Sequence, residues 1–290
     1  MYLYANGCSM TYGSELHDDP ATQVCTDHEY RWRYSWPGRL RGLLDADGVY
    51  NDAVPSGSND RIVRTTIDFV ARWSRSGLPV ESLLVVVGWT HPARREFFVT
   101  GDYRQVVPHH YYDIRALNRL VARYRAVATS AEEAAERYVT QVAALRGFLH
   151  QQGISFLFFN AVAEVGLPEH LANSCVEEAF TDGRFLDHDA AEPTMVEFLR
   201  GRPDTSVIQH PNETGHQLWA ERIAGEIDPA GFKNLGPDQL TAARLPALGG
   251  TQVARRHDRK GAERLTKLVR TRLIRMRIRR GDSSDPFIYP

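Results

Sequence analysis

Nowhere in the 290 residues does an apolar run approach the ~18–20 needed to cross a bilayer, so no membrane-spanning segment is expected. Cysteine is scarce. Cys8, Cys25 and Cys175 are odd in number and widely spaced, which excludes a disulfide framework or a cysteine metal site and predicts a reducing, cytoplasmic setting. A basic stretch followed by an apolar one is missing from the N-terminus, so a cleaved signal peptide is not expected. There is no internal repeat and no metal-ligand spacing, and neither metal nor cofactor is expected. Net charge is also small, at −1, but it hides an asymmetry: residues 255–280 carry twelve Arg or Lys against Asp258 and Glu263, a balance of +10, which leaves −11 for the rest.

What is present is an ordinary globular composition, 42% hydrophobic and 24% charged, with elements alternating in the βαβ manner. Met1 to Asn6 reads as a strand broken by Gly7, and Trp36 to Leu44 as a helix. Val49 to Asn51 reads as a strand, and Asn59 as the N-cap of a helix carrying Ile62, Val63, Thr66, Ile67, Val70 and Trp73 and closed by Gly77. Leu83 to Val87 is an unbroken apolar run, as in a strand buried on both faces. Ser130 and Glu133 form a capping box for a helix ending at Gly153, and Ile154 to Phe159 follows as a strand. Val207-Ile208 is the expected last strand, and Leu218, Trp219, Ile223 and Ile227 the inward stripe of a final helix. This order predicts a three-layer α/β/α domain over residues 1–228 with a parallel five-stranded, flavodoxin-like sheet. Insertions are expected at 89–129 and 165–202, a Gly/Pro-punctuated linker at 229–250 and a basic extension at 251–290.

Four places then fall at carboxyl ends of strands, where open α/β sheets put their chemistry. They are Gly7-Cys8-Ser9, the Asn51 to Asn59 turn, Gly88-Trp89-Thr90-His91, and Gln209-His210-Pro211-Asn212. Nucleophilic acyl transfer needs a hydroxyl, a base for its proton, and donors for the developing oxyanion. Ser9 supplies the hydroxyl and His210, just before the final helix, the base. The N–H groups of Ser9 and Gly57 are the expected donors, since glycine lets a backbone approach a reacting atom closely.

This ordering resembles the SGNH (GDSL-like) hydrolase and acyltransferase superfamily. Its four blocks match Gly7-Cys8-Ser9, Asn51 with Ser56-Gly57-Ser58-Asn59, Gly88-Trp89-Thr90-His91, and Val207-Ile208-Gln209-His210, within residues 1–227. The resemblance implies a serine-dependent ester hydrolase or acyltransferase working through a Ser9–His210 dyad and an acyl-enzyme. Ser9, Gly57 and Thr90 would hold the oxyanion. Trp89, Arg94, Asn59 and the Tyr111-Tyr112 pair would bind a small ester or acyl substrate. Three positions depart from the pattern: Cys8 replaces the usual Asp, Thr90 the oxyanion Asn, and Val207 the triad Asp. Asp187, Asp189, Asp204 or a backbone carbonyl remain as holders of the imidazole. Arg94 either meets an anionic group or the oxyanion, or pairs with Glu96.

Several residues have blander readings. Cys8 reads as a small buried apolar group, His216 as a packing or capping histidine, and His109 and His110 as solvated insertion residues. The loop bearing His17, Asp18, Asp19, Asp27 and His28 reads as a polar rim. The run 255–280 suits an acidic carrier protein or self-association with the acidic body. Its lack of aromatics argues against nucleic acid. The missing triad Asp and the Thr90 substitution leave a catalytically impaired SGNH-fold binding protein as the alternative.

Overall fold

The computed structural model describes residues 1–19, 22, 24–99, 102–107, 115–128, 130–172, 174–186, 190–205 and 209–232. The expected last strand at Val207-Ile208, the pairs His109-His110 and Tyr111-Tyr112, Asp187, Asp189 and the basic run 255–280 lie outside them.

Strand β1 (Tyr2–Asn6) leads into a single helical turn, α1 (Ser9–Tyr12), then α2 (His28–Tyr34), α3 (Trp36–Leu43), β2 (Gly48–Asn51) and α4 (Asn59–Arg75). Next come β3 (Leu83–Trp89), β4 (Arg95–Val99), β5 (Asp102–Val106), α5 (Arg115–Ala128), α6 (Ala131–Gln151) and β6 (Ser155–Asn160). The described elements close with α7 (Glu178–Thr181), β7 (Phe185–Leu186), α8 (Met195–Arg200) and α9 (Glu213–Ala224). The main sheet is five-stranded in the order β2-β1-β3-β6-β7, with every pairing parallel. That is the doubly wound order expected of a flavodoxin-like domain. Its described fifth strand is a correction: β7 arises from the segment read as an insertion, and only two residues pair, Phe158 with Phe185 and Phe159 with Leu186. Two residues are too few to show a periodicity, so the sequence hid it.

Alternation along the strands explains both outer layers. Leu3, Ala5, Leu84, Val86, Leu157 and Phe159 join one core with Trp36 and Leu40 of α3, Leu199 of α8 and Trp219 and Ile223 of α9. On the opposite face Tyr4 stacks on Phe69 of α4, and Trp89 meets Tyr138 of α6 edge-on. Strand β3 is buried along its whole length and runs two residues beyond the expected end at Val87.

The helix ends refine the sequence reading. Ser58, not Asn59, is the N-cap of α4, its side chain accepting from Arg61 N–H. Ser130 caps α6 by accepting from Glu133 N–H at 2.9 Å, but the Glu133 carboxylate turns to Arg95 and Arg137 instead of completing the box. Gly77 and Gly153 take φ of 80° and 68° just past α4 and α6, where a side chain would be strained. The expected 89–129 insertion contains the antiparallel β4–β5 hairpin and α5. Glu96 of that hairpin accepts both Arg64 Nε and Nη2 at 2.7 Å, which locks the hairpin to α4. No helix among the described residues is long and apolar enough to cross a membrane.

Candidate active site at the carboxyl edge of the sheet

Three chain segments leave the sheet together around Gly7. A Cβ on Gly7 would fall 2.2 Å from Thr11 Oγ1 and 3.0 Å from Gly88 O, and one on Gly57 would fall 2.8 Å from Gly7 O. Glycine is therefore the residue that fits at both positions, and the first three sequence blocks are brought into contact. Ser9 opens α1, with Cys8 at the N-cap. Its N–H is one of the donors that a helix start leaves without an internal partner. Among the described residues nothing bonds the Ser9 hydroxyl, and no hydrogen bond joins it to His210.

The second and third blocks show how fully the side chains here are already engaged. Gly57 N–H donates to Val54 O at 3.0 Å across a turn in which Ser56 takes φ of 60°, so the expected oxyanion donor is already spent. Asn59 donates through Nδ2 to Thr90 O at 3.1 Å and accepts from Thr90 N–H at 2.9 Å. It is a clamp on the end of β3 rather than a substrate ligand, which corrects the expectation for it. Trp89 is corrected as well: its indole is fully buried and meets Tyr138 and Phe158 edge-on. Thr90 is buried, and its Oγ1 accepts from Arg94 Nη1 at 2.8 Å. The alternative Arg94–Glu96 pair does not form, because Glu96 is held by Arg64.

The fourth block supplies the imidazole. His210 Nδ1 lies 3.0 Å from Glu15 Oε1, a close approach that is not aligned as a hydrogen bond. Glu15 Oε2 also accepts from the N–H groups of Gln209 and His210, at 3.2 and 3.4 Å. The carboxylate beside this imidazole is thus a glutamate from the loop after α1, whereas Asp204 serves through its backbone carbonyl, accepting from Asn212 Nδ2. Glu15 is set by local geometry: it takes φ of 70°, and its N–H donates to Asp18 Oδ2 at 2.8 Å. Asp18 is itself paired with buried Arg31. The polar loop is therefore a bracket for Glu15. Among the described residues no group of three or more His, Cys, Asp or Glu is placed to hold a metal ion.

A cleft of about 420 Å³ opens beside His210. Met10, next to Ser9, lines it together with His210, Pro211, Leu199, Val196 and Arg200. His216 is not part of it. Fully buried, it accepts from Trp36 N–H at 3.1 Å through Nδ1. Burial, and then the charges of His210 and Arg39, push its pKa down to about 3, so it stays neutral.

Beneath the strand ends lies a polar platform that periodicity does not reveal. Asn6 Nδ2 reaches Tyr4 Oη, Thr65 Oγ1 and Thr66 Oγ1, and its Oδ1 accepts from Gly7 N–H at 2.8 Å. Burial holds the Tyr4 phenol well above its usual range. Protonated, it donates to Asp52, which is paired with Arg61 at 3.0 Å.

The chain belongs to a family described only as "Family of unknown function (DUF6071)", whose pattern matches residues 14–238. No curated protein matches it. Among solved structures it is similar to a psychrotrophic esterase, EstA from Pseudoalteromonas sp., at 10% identity and a TM-score of 0.42, covering 78% of this chain and 95% of that one. It is also similar to an acetyl xylan esterase, AlAXEase, at 11% identity and a TM-score of 0.41, covering 79% of this chain and 100% of that one. A third, a member of the lipolytic G-D-S-L family from Veillonella parvula, gives 10% identity and a TM-score of 0.38, covering 78% and 97%. The likeness is slight, and the architecture rests on the strand order and parallel pairing.

Proposed function

We propose that this chain is a serine-dependent ester hydrolase or acyl-transfer enzyme of SGNH type, acting on a small ester or acyl substrate. The observation that carries the reading is Glu15 at 3.0 Å from His210, with His210 on a cleft whose wall includes Met10, the sequence neighbour of Ser9. A carboxylate on Nδ1 fixes the ring and leaves Nε2 as the basic nitrogen. Ser9 Oγ attacks the acyl carbon while its proton passes to Nε2. The carbonyl π pair moves to oxygen, and His210 then returns the proton to the leaving alcohol as the C–O bond breaks. Water or a second alcohol, activated in the same way, takes the acyl group from Ser9. Ser9 N–H and the Thr90 hydroxyl face the oxyanion, and Arg94 stands behind Thr90. Resting sites commonly hold the serine–histidine bond long and tighten it with substrate, which fits a Ser9 hydroxyl without a partner here.

The engaged Gly57 N–H and the clamp role of Asn59 favour a second reading, a binding protein on the same fold whose turnover is lost. One experiment separates the two. A fluorophosphonate probe read by mass spectrometry should label Ser9 in the wild type, not at all in Ser9→Ala, and far more slowly in His210→Ala. A wild-type chain that stays unlabelled and turns over no 4-nitrophenyl ester would remove the enzyme reading.

A further inference from the structure

We propose that Arg94 and Thr90 act as one oxyanion element, the guanidinium polarising the threonine hydroxyl so that together they replace a single amide donor. This rests on the serine-hydrolase reading above and assigns a positioning residue within it.

Around the end of β3 the acidic groups are already matched. Glu96 is bound twice by Arg64 and once by Gln105 Nε2, Glu133 by Arg95 and Arg137, and Asp60 by Gln141 and the Glu96 N–H. Among the described residues no carboxylate lies within ion-pair distance of Arg94. A half-buried guanidinium without an acid is an unusual placement in so densely paired a region, because its charge is partly desolvated with no counter-charge. The Arg94 side chain instead donates to Thr90 Oγ1 at 2.8 Å.

That direction of donation matters. Thr90 Oγ1 is the acceptor, so its own proton is not used in this contact and remains free to donate. A hydroxyl that accepts from a cation becomes a stronger donor, and the effect grows in a site shielded from water. Thr90 is buried, and Asn59 fixes its backbone from both sides. Asn6 pairs with Val87, and a Cβ on Gly7 would fall 3.0 Å from Gly88 O, so the chain leading into Ser9 and the one leading into Thr90 leave the sheet side by side. Neither Arg94 nor Thr90 gains or loses a proton in the reaction. The proton moves only between Ser9, His210 and the leaving oxygen, while the Thr90 O–H points at the carbonyl oxygen as charge builds on it.

The test is a double-mutant cycle on 4-nitrophenyl acetate. Thr90→Val and Arg94→Ala should each lower kcat by at least ~10-fold with KM nearly unchanged, since losing a whole oxyanion donor costs about 10²- to 10³-fold. The double variant should be no worse than the poorer single one, as expected when two groups serve one function. Arg94→Lys, which keeps the charge, should recover part of the loss. Thr90→Ser, which keeps the hydroxyl, should recover most of the Thr90→Val loss and so covers the case in which valine disturbs the fold. Multiplicative losses, an Arg94→Ala effect on KM alone, or wild-type kcat in Arg94→Ala would overturn the proposal while leaving the hydrolase reading in place. A wild type inert to both ester and fluorophosphonate would remove that reading and this assignment with it.

Discussion

Glu15 Oε1 faces His210 Nδ1 at 3.0 Å across 195 positions of sequence, and the same carboxylate accepts from the backbone N–H of His210. One glutamate thus stands against the ring and bonds the main chain of the histidine that the proposed mechanism uses as base. Replacing Glu15 by Gln keeps an acceptor for the backbone but removes the charge that stabilises an imidazolium. The expected outcome is a loss of kcat on the order of 10²- to 10⁴-fold, as for other triad acids. Thermal denaturation should show a change of only a few degrees, and slower fluorophosphonate labelling of Ser9 should accompany the kinetic loss.

Gly7→Ala is predicted to damage stability and activity together. The new Cβ would lie 2.2 Å from Thr11 Oγ1, with backbone at Gly88 O blocking retreat, so α1 and Ser9 must shift. Overpacking of this kind costs about 1–3 kcal/mol. Urea unfolding would measure it, and Thr11→Ala in the same chain should restore part of the loss by removing the closest atom.

Asp52→Asn should be among the most destabilising conservative changes in the chain. Asp52 and Arg61 are only 4% and 7% exposed, and the pair ties β2 to α4 under the site. Breaking a buried pair on one side leaves an uncompensated charge and costs about 3–5 kcal/mol. A fall in unfolding free energy much smaller than that would show the platform to be softer than its hydrogen bonds suggest.

His216 gives a pH dependence of known sign. Its pKa drops from 6.5 to about 3 on folding, so between those values the unfolded chain binds a proton that the native chain refuses. The native state is therefore favoured fully above pH ~6.5, and this contribution is lost progressively as pH falls toward ~3. His216→Asn keeps an acceptor for Trp36 N–H without the titrating ring. Its unfolding free energy should vary less over that range, as read by chemical denaturation at several pH values.

Much of the fold was legible because burial leaves a periodic trace. Leu83 to Val87 and Ile154 to Phe159 are apolar on both faces, and β3 and β6 were found where that pattern lies. Helix α6 was likewise marked by its stripe and its Ser130 cap. Asn59 shows the limit. Its type and place suited an N-cap, but the side chain reached Thr90, 31 residues away, and the neighbouring serine took the cap.

Ser9 and His210 stood out in the sequence for a different reason: Ser9 opens the turn after β1 and His210 lies three residues before α9, places that short motifs mark locally. Glu15 did not, because nothing within its own loop distinguishes it from Asp18 or Asp19. Composition and periodicity determined a parallel α/β sheet flanked by helices. Only the tertiary structure decided which carboxylate faces the His210 imidazole and which amides are already spent. Pairings between polar side chains depend on distances across the chain, and solvation and direction choose among many equivalent partners, so no local pattern records them.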